Sequence, residues 1–230
     1  MTATPRESEK SPMMNPPSDQ NPIAMKISSY VLFALLIPAA QAQQPAPDVL
    51  VKSISEEVVA ILKKDKDIQS GDSKKVVELI ETKVVPHFDF IRMTRIAMAR
   101  NWRLASPEQQ NVLADEFKTL LVRTYSTAIS NYRDQQIDYK PLRAKPEDTE
   151  VTVRSDVKPS GSSQPVSIDY EMEKTPNGWK VYDVKVGGVS LVTTYRDTFA
   201  GEVRDHGVDG LIKSLAAKNR QPERSKAGKT

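Results

Sequence analysis

The sequence predicts an α+β protein: helices first, then a twisted antiparallel sheet of about four strands, then helices again. Two observations carry this. Val166, Ile168, Tyr170 and Met172 alternate with Ser167, Asp169, Glu171 and Glu173, the period-two pattern of a strand with one buried face. On either side of the strand-rich region, apolar residues recur at helical spacing instead.

Residues 49–65 place Leu50, Ile54, Val58, Ile61 and Leu62 on one helical face. Gly71-Asp72 interrupts, and Val76, Val77, Ile80, Val84 and Val85 form a second helix ending near Pro86. Asp89 is placed to N-cap a short helix carrying Met93, Ile96 and Ala97. Ser106-Pro107-Glu108-Gln109 reads as a capping box with proline at the first helical position. It opens a long helix with Leu113, Phe117, Leu120, Leu121, Tyr125, Ala128 and Tyr132 on one face.

Strands follow at 137–142 and around Val151, Val153 and Val157, with Pro159-Ser160-Gly161 as the turn into the Val166 strand. Asn177-Gly178 signals a hairpin with a type I′ turn. The return strand, Trp179 to Val186, has apolar residues in both alternating sets, which predicts cover on both faces. Gly187-Gly188 breaks it, and Val192, Tyr195, Phe199 and Val203 begin a covering helix. Val208, Leu211, Ile212 and Leu215 mark a last short helix, and residues 219–230 a basic, disordered tail.

Residues 1–24 are polar and proline-rich and read as an extension upstream of the true start. Met25-Lys26, the apolar run Val31–Ile37 and Ala40-Gln41-Ala42 then have the pattern of a secretory signal peptide cleaved after Ala42. That run is far shorter than the roughly 20 residues that span a bilayer. Residues 43–218 are expected to form one domain.

Composition excludes several chemistries. The 230 residues contain no cysteine, hence no disulfide or thiol nucleophile, and two histidines too far apart for a histidine-rich zinc site. A net charge of +3 is too small for nucleic-acid binding to be the default reading. Gly188-Val189-Ser190-Leu191-Val192 lacks the last glycine of a nucleophile elbow, so Ser190 reads as a helix N-cap. Gly228-Lys229-Thr230 ends like a phosphate loop but has Glu223 at the first glycine position. His87 reads as structural. Asp169 and Asp183 beside tyrosines are candidate acid–base groups, though such alternation more often marks structural carboxylates. From the residues alone, a packed core and an apolar cavity both remain open.

Three further runs change the weighting. They are Phe88-Asp89-Phe90-Ile91-Arg92-Met93 with Trp102-Arg103 and Ser106-Pro107-Glu108-Gln109; Asp169-Tyr170 with Gly178-Trp179-Lys180-Val181-Tyr182-Asp183-Val184; and Gly207-Val208-Asp209-Gly210-Leu211-Ile212. With Gly188–Val192 and Tyr195-Arg196, their order resembles the MlaC (toluene-tolerance, periplasmic phospholipid-binding) family across residues 49–218. Ala99 stands where that family usually has glycine and Asn101 where it has an aromatic residue.

The resemblance implies a non-enzymatic, monomeric periplasmic lipid carrier with no cofactor besides its phospholipid cargo. Its implied partners are an inner-membrane transporter complex containing MlaD and the outer-membrane lipoprotein MlaA with a porin. It also implies a deep apolar lipid pocket. Alternation places Val166, Ile168, Tyr170, Met172, Val151 and Val153 on its sheet wall, with Val184 and Val189, and Leu121, Tyr125 and Phe199 from the helices, as further candidates. Two other classes stay in view: a small-molecule isomerase or dehydratase using Asp169 or Asp183 as base, and a non-catalytic adaptor with a filled core.

Overall fold

The computed structural model describes residues 44–132, 135–158 and 164–221; the expected signal peptide and upstream extension lie outside them. Helices α1 (Pro47–Lys64), α2 (Lys66–Gln69) and α3 (Ser73–Lys83) come first, followed by a 3₁₀ turn at Val85–His87. Next are α4 (Phe90–Met98), a 3₁₀ segment at Ala99–Leu104 and the long α5 (Pro107–Ser130). The four-residue α2 is a feature the sequence pattern does not resolve.

The helix starts follow their capping chemistry. Asp89 Oδ1 accepts the Arg92 N–H at 2.8 Å and opens α4. At α5, Ser106 Oγ accepts the Gln109 N–H at 3.2 Å while Gln109 Oε1 accepts the Ser106 N–H at 2.9 Å, so two orphan donors are satisfied reciprocally. Asp65 and Asp72 cap α2 and α3 one way only, each carboxylate accepting two backbone N–H groups of the first turn. Ala99, just past α4, holds φ 49° and ψ −126°, the one positive φ outside glycine among the described residues.

The sheet has five strands in sequence order, all antiparallel: β1 (Gln136–Tyr139), β2 (Glu150–Lys158), β3 (Val166–Thr175), β4 (Gly178–Val186) and β5 (Val189–Ser190). The expected strands are all present, and the two-residue β5 is additional. At the β3–β4 turn the register leaves Pro176-Asn177 as the central pair. Proline fixes φ near −65°, so a type I′ turn is impossible there; Gly178 alone takes a positive φ, 104°. The two consecutive positive φ values of such a turn occur instead at Gly187 (58°) and Gly188 (82°), which join β4 to β5.

The expectation that β4 is apolar on both faces is also corrected. The β3–β4 register slips between Glu171 and Met172: Glu171 faces Asp183, but Met172 faces Val181. Tyr182 is therefore an extra residue, a β-bulge, and it resets the alternation. Trp179 and Val181 before it share a face with Val184 and Val186 after it. The opposite face is polar, with Asp169, Glu171 and Glu173 beside Lys180 and Lys185.

The last helix, α6 (Arg196–Arg220), follows a 3₁₀ turn at Thr193–Tyr195. Gly207 (φ 70°, ψ −177°) is non-helical and breaks it, so the two expected helices are present and meet at a kink at this glycine. The tail begins later than expected: Asn219 and Arg220 are helical, and Asn219 is buried, donating to the Glu116 carbonyl at 2.9 Å and to Glu116 Oε2 at 2.7 Å.

Three apolar clusters result. Helices α4, α5 and α6 enclose Phe117, Phe199, Leu121, Met98 and Val192, where the Phe117 ring meets Tyr195 and Phe199 edge-on at 5.1 and 5.2 Å. Helices α1, α2 and α3 enclose Val58, Leu62, Ile68, Val76 and Ile80 against Val122. The third lies on the sheet, where Val51 and Leu50 of α1 cover Val151, Val153, Met172 and Val181.

Candidate functional site

The apolar sheet face is built by strand pairing alone. Val151 faces Met172, Val153 faces Tyr170, Ser155 faces both Tyr139 and Ile168, and Val157 faces both Ile137 and Val166. On β4, Val184 faces Tyr170, and Val186 faces Ile168 on one side and Val189 on the other. The face thus runs in cross-strand rows from the β3–β4 turn to the β4–β5 turn.

Its two ends differ. At the first, Val153 and Met172 are fully buried beneath α1. At the other, Val166 is 38 % exposed, Val186 37 % and Val189 60 %. Ile168, Tyr170 and Val184, between them, are half-buried. The result is an apolar surface that begins closed and ends open to solvent.

The predicted lining residues divide accordingly. Val151, Val153, Met172, Tyr170, Val184, Ile168, Val166 and Val189 share this one face. Leu121 and Phe199 lie in the helical cluster, with Tyr125 packed against it. A groove of 610 Å³ between α4, α5 and the β3–β4 turn contains none of these residues and mixes Phe88 and Ile91 with Asp89, Asp115, Lys118 and Lys180.

The face holds one polar island. Tyr139 and Ser155 are directly paired, and Tyr170 lies one row away on β3. Burial pushes the Tyr170 phenol up to about 12 and raises that of Tyr139. The Tyr139 hydroxyl is buried without a well-formed hydrogen bond, with Ser55 of α1 in loose contact.

The candidate acids do other things. Asp169 points to the polar face, opposite Tyr170, with Arg154 Nε at 4.0 Å. Asp183 is buried, which raises its pKa, and is held in place by the Ser190 hydroxyl at 2.6 Å, the Val184 N–H at 2.8 Å and the Val192 N–H at 3.3 Å. Ser190 Oγ in turn accepts the Val192 and Thr193 N–H groups at 3.2 and 2.9 Å, so it caps the 3₁₀ turn rather than the long helix. His87 is held neutral more readily than usual, by burial and then by Lys180. Among the described residues no group of three acidic or histidine side chains is arranged to hold a metal ion.

One residue with a large positioning role escapes sequence reasoning. Arg92 of α4 reaches the polar face, where it pairs with Glu173, binds Glu150 Oε1 at 2.6 Å and stacks 3.6 Å above the Tyr182 ring. Glu150 and Glu173 are cross-strand partners. Their like charges side by side are the signal that a cation is needed.

These features define a class: an α+β protein whose sheet presents one apolar face, covered by a helix at one end and open at the other. The chain belongs to the MlaC protein family, whose model matches residues 52–217. It is 20 % identical over 198 residues to the intermembrane phospholipid transport system binding protein MlaC of Haemophilus influenzae, covering 85 % of this chain and 92 % of that one. It is 26 % identical over 205 residues to the toluene tolerance protein ttg2D of Pseudomonas putida, covering 84 % and 92 %. Among solved structures, a phospholipid-binding protein of Ralstonia solanacearum in complex with a phospholipid superposes with a TM-score of 0.71. It shares 45 % identity with this chain, of which 76 % is covered, against 97 % of the Ralstonia chain.

Proposed function

We propose that this protein is a periplasmic phospholipid carrier that holds acyl chains against the apolar sheet face. The observation that carries the reading is the 45 % identity, across 97 % of its length, to a protein solved with a phospholipid bound. The physics agrees: each acyl CH₂ left in water costs about 0.8 kcal/mol, so lipid crosses an aqueous compartment only when its chains are sheathed. Val166, Val186 and Val189 form the entrance, Ile168, Tyr170 and Val184 the middle, and Val151, Val153 and Met172 the floor under α1. Leu121, Tyr125 and Phe199 would support the wall from the helical side. Residues 25–42 direct export, and 43–218 form the lipid-binding domain. In this reading the carrier exchanges lipid between an MlaA–porin complex at the outer membrane and an MlaD-containing transporter at the inner membrane, with no cofactor of its own.

The test is to express the full chain in bacteria, purify it without added ligand and extract it with organic solvent. Phospholipid near one molecule per protein is expected by mass spectrometry. Val189→Glu puts a charge on an already exposed apolar site and should fold normally yet carry several-fold less lipid. Wild type that holds no phospholipid and takes none from vesicles would overturn the assignment.

A further inference from the structure

We propose that Tyr139 and Ser155, with Tyr170 and Ser55 beside them, form a hydrogen-bonding subsite for an ester carbonyl of the bound lipid; this rests on the phospholipid reading above. The Tyr139 hydroxyl is buried and makes no well-formed hydrogen bond among the described residues, Ser55 offering only a loose contact. Buried hydroxyls are nearly always well hydrogen-bonded, so a poorly satisfied one on this apolar face points to a donor set for a ligand acceptor. Its neighbours are only loosely satisfied: Ser155 is 1 % exposed, and its hydroxyl reaches the Ile168 carbonyl at 3.5 Å and the Tyr170 phenol beside it. Ser55 of α1 lies against both phenols from above the sheet.

Position and charge identify the ligand group. Tyr139, Ser155, Ile168, Val186 and Val189 form one continuous row across four strand pairings. On β2 and β3 that row lies one step inside Val157 and Val166, and it reaches the open end itself at Val186 and Val189, whereas Val153 and Tyr170, then Val151 and Met172, lead inward. A diacyl lipid has its ester linkages at the junction between chains and headgroup. With its chains on the inner rows, it places them here. Every polar group in the island is a neutral hydroxyl. A phosphate or a free fatty-acid carboxylate would be an unpaired buried charge on this row, whereas a carbonyl oxygen is a neutral acceptor matching O–H donors.

The experiment is competitive loading of the full chain from mixed vesicles. These hold equal amounts of a diester phospholipid and its diether analogue, with the same headgroup and chain length; bound lipid is read by mass spectrometry. The diether retains every apolar contact but has no carbonyl. Wild type should enrich the diester roughly three- to tenfold, the factor a neutral hydrogen bond carries. Tyr139→Phe, and separately Ser155→Ala, should bring the ratio close to one while total loading persists. Equal loading of both lipids by wild type, which needs no variant to fold, would overturn the subsite, as would a diester preference surviving in Tyr139→Phe. Uptake of neither lipid would instead defeat the phospholipid reading beneath it.

Discussion

Ala99→Gly should make this protein more stable, although the same replacement elsewhere makes it less so. Ala99 sits at φ 49° and ψ −126°, a conformation that crowds Cβ against the backbone and that glycine adopts freely. Residues held in such regions store about 1–3 kcal/mol. Against this, glycine gives the unfolded chain more freedom, a cost of about 0.4–1 kcal/mol. Ala99 is exposed, so losing its methyl group sacrifices no core packing. The net expectation is a gain of about 1 kcal/mol, or roughly 2–4 °C in Tm for a chain of this size. Ala60, exposed within α1, is the control: Ala60→Gly should lose about 0.5–1 kcal/mol. Urea unfolding of the three proteins under one condition decides the matter. If the two variants are destabilised alike, Ala99 carries no backbone strain.

The same reasoning gives three further expectations. A Cβ at Gly210 would lie 2.2 Å from His206 Cβ across the Gly207 kink, so Gly210→Ala should cost about 2 kcal/mol or more in urea unfolding. Gly201→Ala in the same helix meets only the tip of Arg204, at 4.0 Å, and should be neutral or stabilising. Because folding raises the Tyr170 phenol from 10.0 to about 12, the folded state favours the protonated form. That contribution, roughly 2–3 kcal/mol, is fully present below the unfolded value and is lost as pH rises through the interval between the two. Urea midpoints measured across that alkaline interval should fall in wild type and fall less in Tyr170→Phe; identical curves would refute the burial of the phenol. Arg92→Met leaves Glu150 and Glu173 facing each other without a cation and should destabilise by about 2 kcal/mol, with Arg92→Lys restoring only part of the loss. A change smaller than about 0.5 kcal/mol would show that the cluster is solvent-screened.

What was legible in the sequence was local. The Asp89 cap, the Ser106–Gln109 box and the face shared by Val166, Ile168, Tyr170 and Met172 each depend on residues within one turn or one strand. The unseen features depend on distant partners. Pro176 excludes a type I′ turn only once the register makes it a central turn residue; the dipeptide Asn177-Gly178 alone gives no hint. Arg92 looks like any polar position on a short helix until β2 and β3 bring two glutamates beneath it. Asn219 reads as the start of a polar tail because its partner, Glu116, is on another helix. For the site, alternation correctly assembled one sheet face, but helical spacing could not distinguish residues turned toward that face from Leu121 and Phe199, which serve the helical core. Nor could it separate the ends of the face, since covered Val153 and exposed Val166 follow the same pattern.

The bulge at Tyr182 links these observations. Without it, Trp179 and Val181 would face one side of the sheet and Val184 and Val186 the other, and no continuous apolar surface would exist. One inserted residue disrupts the ladder locally but brings all four onto the face bearing Met172 and Tyr170, extending that surface to Val189. On the opposite side, Tyr182 supplies the ring beneath Arg92 that fixes α4, and Asp183 supplies the carboxylate that holds Ser190 and Val192 where the chain leaves the sheet. The same irregularity therefore assembles the continuous apolar surface and anchors the helical segments that precede and follow the sheet in sequence. A change at Tyr182 is thus expected to disturb lipid binding and stability together, whereas a change at Val189, which touches only the first of these, separates them.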